Sequence, residues 1–194
     1  MVTVKYSLED FIHEMDALLA ASPDQKTLFA KGSSYLERLI RNPHAIPQEY
    51  RRPLGRGARP SHGTYKLHQG DNGVSISSIV WGPGDHIDPH DHHTWGMIGV
   101  MENFLAETRF RRLDDRSKED YALLEKDRKA ITKPGEVSIL VPEVDEIHQI
   151  DNETDAPTVE IHVYGHPLMK LHRCKFDLST GRVIPFTSGK ADNE

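Results

Sequence analysis

The stretch 82-GPGDHIDPHDHHTWG-96 holds four histidines, His86, His90, His92 and His93. Glycine, proline and aspartate surround them, which reads as loop rather than core. Such a cluster is either a metal site or an accident of surface composition. In an extended chain residues i and i+2 share a face, so His90 and His92 project together, about 7 Å apart along the backbone. At that spacing two imidazoles can converge on one ion at roughly 2.0–2.2 Å each. His93 points to the other face. His86 is separated from the pair by Pro89.

The 194 residues suit one domain, read as an N-terminal helical segment, 1–60, packing on a β-barrel, 61–194. A hydrophobic content of 37% against 28% charged residues fits a soluble globular chain. The net charge of −6 argues against general nucleic-acid binding. The basic run RRPLGRGARP (51–60) carries proline and glycine and reads as a solvated loop rather than a phosphate-binding patch. No hydrophobic span has membrane length, and charges interrupt the N-terminal MVTVKYSLEDF too early for a signal-peptide core. One cysteine, Cys174, allows no intramolecular disulfide and no zinc site built from cysteines, and it fits a reducing cytoplasm.

The first forty residues read as helical. Ser7 and Asp10 form a capping-box pattern ahead of an apolar stripe, Phe11, Met15, Leu18 and Leu19. Ser22 and Pro23 predict the N-cap and first turn of a second helix, with Leu28, Tyr35, Leu36 and Leu39 on its apolar face. From about residue 64 short apolar runs alternate with turns: VSISSIVW (74–81), WGMIGVM (95–101), FLAETRF (104–110), YALLEK (121–126), VSILVP (137–142), TVEIHVYG (158–165) and HRCKFD (172–177). Many short strands at this spacing predict an all-β sandwich or barrel. Ten of the 12 histidines fall between His62 and His172, within this region.

A second segment, KPGEVSILVPEVDEIHQIDN (133–152), supplies His148. Gly135, Pro142, His148 and Asn152 follow one another with the rhythm of a strand, a turn and a return strand. Together with Gly84, His90 and His92 this pattern resembles the two cupin motifs. The glutamate of the first motif is missing, because Gly96 and Met97 stand at its place. The resemblance is to the three-histidine thiol dioxygenase branch, and to bacterial members of the cysteine dioxygenase family in particular. It covers roughly residues 64–189 and extends to TRF, EIHVYG and TGRVIPFTSG. It implies a cupin double-stranded β-helix with N-terminal helices, and His90, His92 and His148 as ligands of Fe(II). It also implies the addition of both oxygen atoms of O₂ to the sulfur of a small thiol, giving a sulfinic acid. Three neutral ligands leave the ion its full charge, which favours a bound thiolate.

In TVEIHVYG, Val159, Ile161 and Val163 alternate with Glu160, His162 and Tyr164, so one face is apolar and the other polar. The polar face meets either solvent or a cavity. The family carries a Ser-x-His-x-Tyr triad in its iron site. His162 and Tyr164 match its last two members, and Glu160 stands in place of the serine. A carboxylate there would accept the imidazole N–H and orient the ring that holds Tyr164.

The substrate is less legible. Cysteine-selective members bind the carboxylate with an arginine ahead of the first motif, and 3-mercaptopropionate members have a glutamine there. The matching place here is near Thr64 or Tyr65, with Lys66 and Gln69 close by. Gly96 also removes the partner for a Cys–Tyr crosslink. Trp95 could wall the pocket or pack in the core. Arg109 and Arg173 could hold a carboxylate or form surface salt bridges. Asp91 and Glu146 could accept ring N–H groups of the ligand histidines. The thiol considered first is 3-mercaptopropionate, followed by cysteine and mercaptosuccinate. Two other readings stay open: a non-catalytic or differently metallated cupin, such as a ligand sensor or a zinc or nickel isomerase, and a diketone-cleaving dioxygenase. Oligomeric state is not legible.

Overall fold

A computed structural model describes residues 6–194. The first five residues of the stretch read above for a signal core lie outside the described residues. Two helices, α1 (Leu8–Ala20) and α2 (Gln25–Ile40), precede eleven strands. The strands are β1 (Gly63–Gln69), β2 (Ser75–Trp81), β3 (His86–His90), β4 (Gly96–Glu102), β5 (Leu105–Arg112), β6 (Leu124–Thr132), β7 (Val137–Leu140), β8 (His148–Asp151), β9 (Thr158–Tyr164), β10 (Arg173–Phe176) and β11 (Val183–Phe186). They form two antiparallel sheets, ordered β1-β2-β9-β4-β7 and β11-β10-β3-β8-β5-β6. This is the β-sandwich with N-terminal helices that the motifs predict.

The capping box at Ser7 and Asp10 forms as expected. The second helix begins later than expected. Its N-cap is Asp24, which accepts the Thr27 N–H at 2.7 Å, while Ser22 takes a left-handed φ of 47° in the turn. Aspartate caps about as well as serine, and its negative charge is favoured in addition at a helix N-terminus. Strands β1, β3, β8 and β11 lie outside the apolar runs read above. β6 runs to Thr132 through charged residues, as an edge strand can.

Helix residues Phe11, Met15, Leu36 and Leu39 share one apolar cluster with Ile76, Met97, Val159, Ile161 and Val163 of the first sheet. The helices therefore cover that sheet's outer face. Gly32 allows this approach, since a Cβ there would come within 2.7 Å of Met97 Cε. With Val159, Ile161 and Val163 turned to the helices, the period of two turns Glu160, His162 and Tyr164 inward. All seven residues of β9 are buried.

Candidate metal centre

His90 closes β3 and lies directly opposite His148, the first residue of β8. Opposed residues in an antiparallel pair hold their Cβ atoms about 4.5–5.5 Å apart, and the two ring centroids are 4.7 Å apart. His92 joins them with centroid separations of 4.8 and 4.9 Å. Each ring offers a nitrogen within 4.8 Å of the other two. Strand periodicity is not what aims His92, because β3 ends at His90. A loop does it instead. Glu146 accepts the N–H groups of His92 and His93 at 3.1 and 2.9 Å, and His93 takes a left-handed φ of 53°. The two motifs are tied at their ends, where Gly84 N–H donates to Asn152 O at 3.0 Å.

The back of each ring is held differently. His148 Nδ1 lies 2.6 Å from Glu107 Oε1, and His90 Nδ1 lies 2.9 Å from Asp88 O. His92 Nδ1 is buried with no hydrogen-bond partner among the described residues. Burial, with the neighbouring rings, holds His90 and His92 well below the usual imidazole range. Burial also lowers His148, against the pull of Glu107. Burial opposes ionisation of Glu107, yet His148, Arg109 and Ser138 together hold its carboxyl at about 2. Three neutral imidazoles with converging nitrogens fit a divalent metal ion.

The acids expected behind the rings serve the backbone instead. Glu146 holds the loop, and Asp91 Oδ1 accepts the Cys174 N–H at 2.7 Å. Glu107, which the sequence reading missed, is the acid that touches a ring of the three-histidine cluster. Its only signal was a charged pair, Glu107 and Arg109, on alternate positions of an apolar strand. Arg109 is ion-paired with Glu107 and Asp145 and donates to Ser138 and the Ile139 carbonyl, and it does not reach the cavity.

The histidines open into a cavity of about 440 Å³ between the sheets. His162 and Tyr164 line it. Tyr164 stacks on His92 at 5.3 Å with 16° between planes. Its ring lies against Gly96, where a Cβ would meet Tyr164 Cε1 at 2.7 Å. Burial pushes the Tyr164 phenol far up, so it stays protonated. His162 Nδ1 is 3.0 Å from the phenol oxygen, and His162 Nε2 is 3.0 Å from Glu160 Oε2. Trp81 Nε1–H also donates to Glu160 Oε2, at 2.7 Å. Glu160 itself is buried and lies outside the cavity lining.

Of the other expected residues, Thr64 and Arg173 line the cavity, whereas Tyr65 and Trp95 do not. Tyr65 turns to the opposite face of β1, where its hydroxyl donates to Arg52 O at 2.8 Å. A bulge between Lys66 and His68 shifts the register of β1, so that Thr64, Lys66 and Gln69 all reach the cavity. Trp95 packs in the helix-side cluster with its Nε1 against Gly165. Arg173 is buried over the Phe186 ring, 4.4 Å from its centroid, and bonds Ser188 Oγ. No acidic side chain pairs with it among the described residues. Burial draws its guanidinium below the usual arginine range, against the opposing pull of Tyr164 and Asp91. The 51–60 loop contributes Arg59 to the cavity wall beside His62 and Asp85.

Comparison with solved structures finds oxalate oxidase in complex with glycolate at 16% identity and a TM-score of 0.44, over 64% of this chain and 62% of that one. The match thus spans less than two thirds of that enzyme's length. A sugar phosphate isomerase of the cupin superfamily from Silicibacter pomeroyi matches at 15% identity and a TM-score of 0.42, over 66% and 76%. A cupin superfamily protein from Desulfitobacterium hafniense matches at 18% identity and a TM-score of 0.42, over 63% and 95%. The family model for cysteine dioxygenase type I matches residues 58–177, which contain all three clustered histidines and the His162–Tyr164 pair. By that match over most of its length, the chain belongs to the cysteine dioxygenase type I family.

Proposed function

We propose that this protein is an Fe(II)-dependent thiol dioxygenase that oxidises a small carboxylated thiol to its sulfinic acid with O₂. Family membership indicates the thiol dioxygenase class. The observation that carries the reading further is an all-imidazole cluster opening into a cavity with one buried, acid-free arginine. His90, His92 and His148 would hold the ion. Bound there, Fe(II) would supply the place where thiolate sulfur and dioxygen meet and the electron exchange that joins them.

The chain's own residues do the rest. Arg173 offers the guanidinium for the carboxylate. Glu160 accepts N–H bonds from Trp81 and His162, and so fixes the His162 ring. The other ring nitrogen, Nδ1, meets the Tyr164 oxygen at 3.0 Å and positions the phenol at the cavity wall. The cavity wall favours a thiol without an amine. Its one acidic lining residue among those described, Glu194, is taken by Lys66. An ammonium group would find no free carboxylate there, which supports 3-mercaptopropionate ahead of cysteine. Glu160 is too buried to provide one.

The test is metal analysis of protein purified without added metal, then oxygen uptake by iron-loaded protein with 3-mercaptopropionate, cysteine and mercaptosuccinate. Sulfinate formation from the first at the highest kcat/KM is expected. No uptake with any of the three would overturn the proposal.

A further inference from the structure

Outside the cavity, Asp91, His93 and Cys174 bring a carboxylate oxygen, an imidazole nitrogen and a sulfur within 4.8 Å of one another. None of the three lines the cavity, yet each adjoins a residue that does. Asp91 and His93 flank His92, and Cys174 follows Arg173. The 90–93 segment and β10 therefore each present one set of groups inward and another outward.

We propose that this outer cluster is a second metal site, suited to a thiophilic divalent cation of the zinc class, and that an ion there clamps the 90–93 loop to β10. The donor set is mixed sulfur, nitrogen and oxygen, which suits borderline-soft ions over calcium or magnesium. Three protein ligands leave a fourth position for water. The backbone carrying the donors is held in place without the ion. Asp91 N–H donates to Cys174 O at 3.1 Å, and Cys174 N–H donates to Asp91 Oδ1 at 2.7 Å. His93 is fixed by Glu146 in its left-handed conformation.

That arrangement uses Asp91 Oδ1 and leaves Oδ2 for the ion. Oδ2 now lies 3.1 Å from His93 Nε2. Ligand atoms around one tetrahedral zinc stand about 3.3–3.7 Å apart, as bond lengths of about 2.0–2.3 Å require. Small side-chain rotations would reach that spacing. No lysine or arginine side chain bonds the Asp91 carboxylate among the described residues, and its Oδ2 meets only the His93 ring. The His93 side chain is 51% exposed and gives a path inward. Binding would release the thiol proton to solvent, and His93 would meet the ion through Nε2 as a neutral imidazole.

The test uses iron-loaded protein kept anaerobic, with cobalt(II) as the probe. A sulfur-to-cobalt charge-transfer band in the near ultraviolet should grow and saturate at a single added equivalent. Cys174→Ser should lose the band and keep its iron. Loss of an outer-shell partner alone weakens metal sites by about 10–100-fold, so loss of a ligand in His93→Asn should cost at least about tenfold. Cys174 is the one cysteine, and the inner histidines carry no sulfur. Cobalt that displaces iron therefore gives no such band, and the result stands apart from what the inner site catalyses. No sulfur band in the native chain, or an unchanged titration in the half-exposed His93→Asn variant, would overturn the proposal.

Discussion

Glu107 Oε1 lies 2.6 Å from His148 Nδ1 and 2.9 Å from Arg109 Nε, so one buried carboxylate joins a cluster histidine to a structural arginine. The contact fixes which nitrogen of His148 faces the other rings. Glu107→Gln keeps the shape and removes the charge. Iron affinity should fall about 10–100-fold, read by competition with a chromophoric chelator. An affinity equal to that of the native chain would show that the His148 ring needs no anion behind it.

Replacing a cluster histidine is the harsher test of the ligand set. His148→Ala removes one of three converging nitrogens, and iron retention should be abolished. Metal analysis after desalting measures this directly. Iron near one per chain in that variant would mean that other residues hold it.

Glu160→Gln keeps an acceptor for Trp81 but removes the anion beside His162. We expect turnover to fall while iron content stays native. A charge-assisted hydrogen bond is roughly twice as strong as a neutral one, so the His162 ring loses much of its hold. Unaltered turnover would reduce Glu160 to a packing role. A change confined to KM is not expected, because Glu160 does not line the cavity.

Arg173→Gln should raise KM for a carboxylated thiol by about 10–150-fold, as loss of a hydrogen bond to a charged group of about 1.5–3 kcal/mol implies. An uncharged thiol such as 2-mercaptoethanol should show little change. Steady-state oxygen uptake with both thiols separates the two cases. Equal losses with both would assign Arg173 to packing on Phe186.

The metal-free protein should lose stability as pH falls below about 6.5. His90, His92 and His148 are all held below their unfolded value by burial. Under these conditions the unfolded chain takes up protons that the folded chain refuses. Stability is therefore present above about pH 6.5 and drops by up to about 1.4 kcal/mol per pH unit for each histidine. Urea unfolding at pH 7.0, 6.0 and 5.0 reads this slope before most carboxylates titrate. A flat profile would mean that the rings accept protons in the fold.

Much of the site was legible in the chain because its chemistry is written in residue types. His90, His92 and His148, and the alternation in TVEIHVYG, needed no coordinates to single out. What failed was geometry that depends on the partner strand. The β1 bulge breaks the count by twos, so Tyr65 leaves the cavity while Gln69 enters it. Trp95, next to the cluster in sequence, turns toward the helices. Glu107 looks like any acid in a strand until β8 is laid beside β5 and His148 arrives. The second helix start was misread for a local reason, since Asp24 is the better cap.

The pairing of His90 with His148 across β3 and β8 also has a consequence in time. Residues so distant in the chain meet only after the slow closure of long loops. No fragment shorter than the span from β3 to β8 can offer three imidazoles to one ion. Metal loading would then be a late event, open only to chains that have completed the sandwich. During refolding, iron uptake should lag the recovery of helical signal from α1 and α2, whose contacts with each other are local.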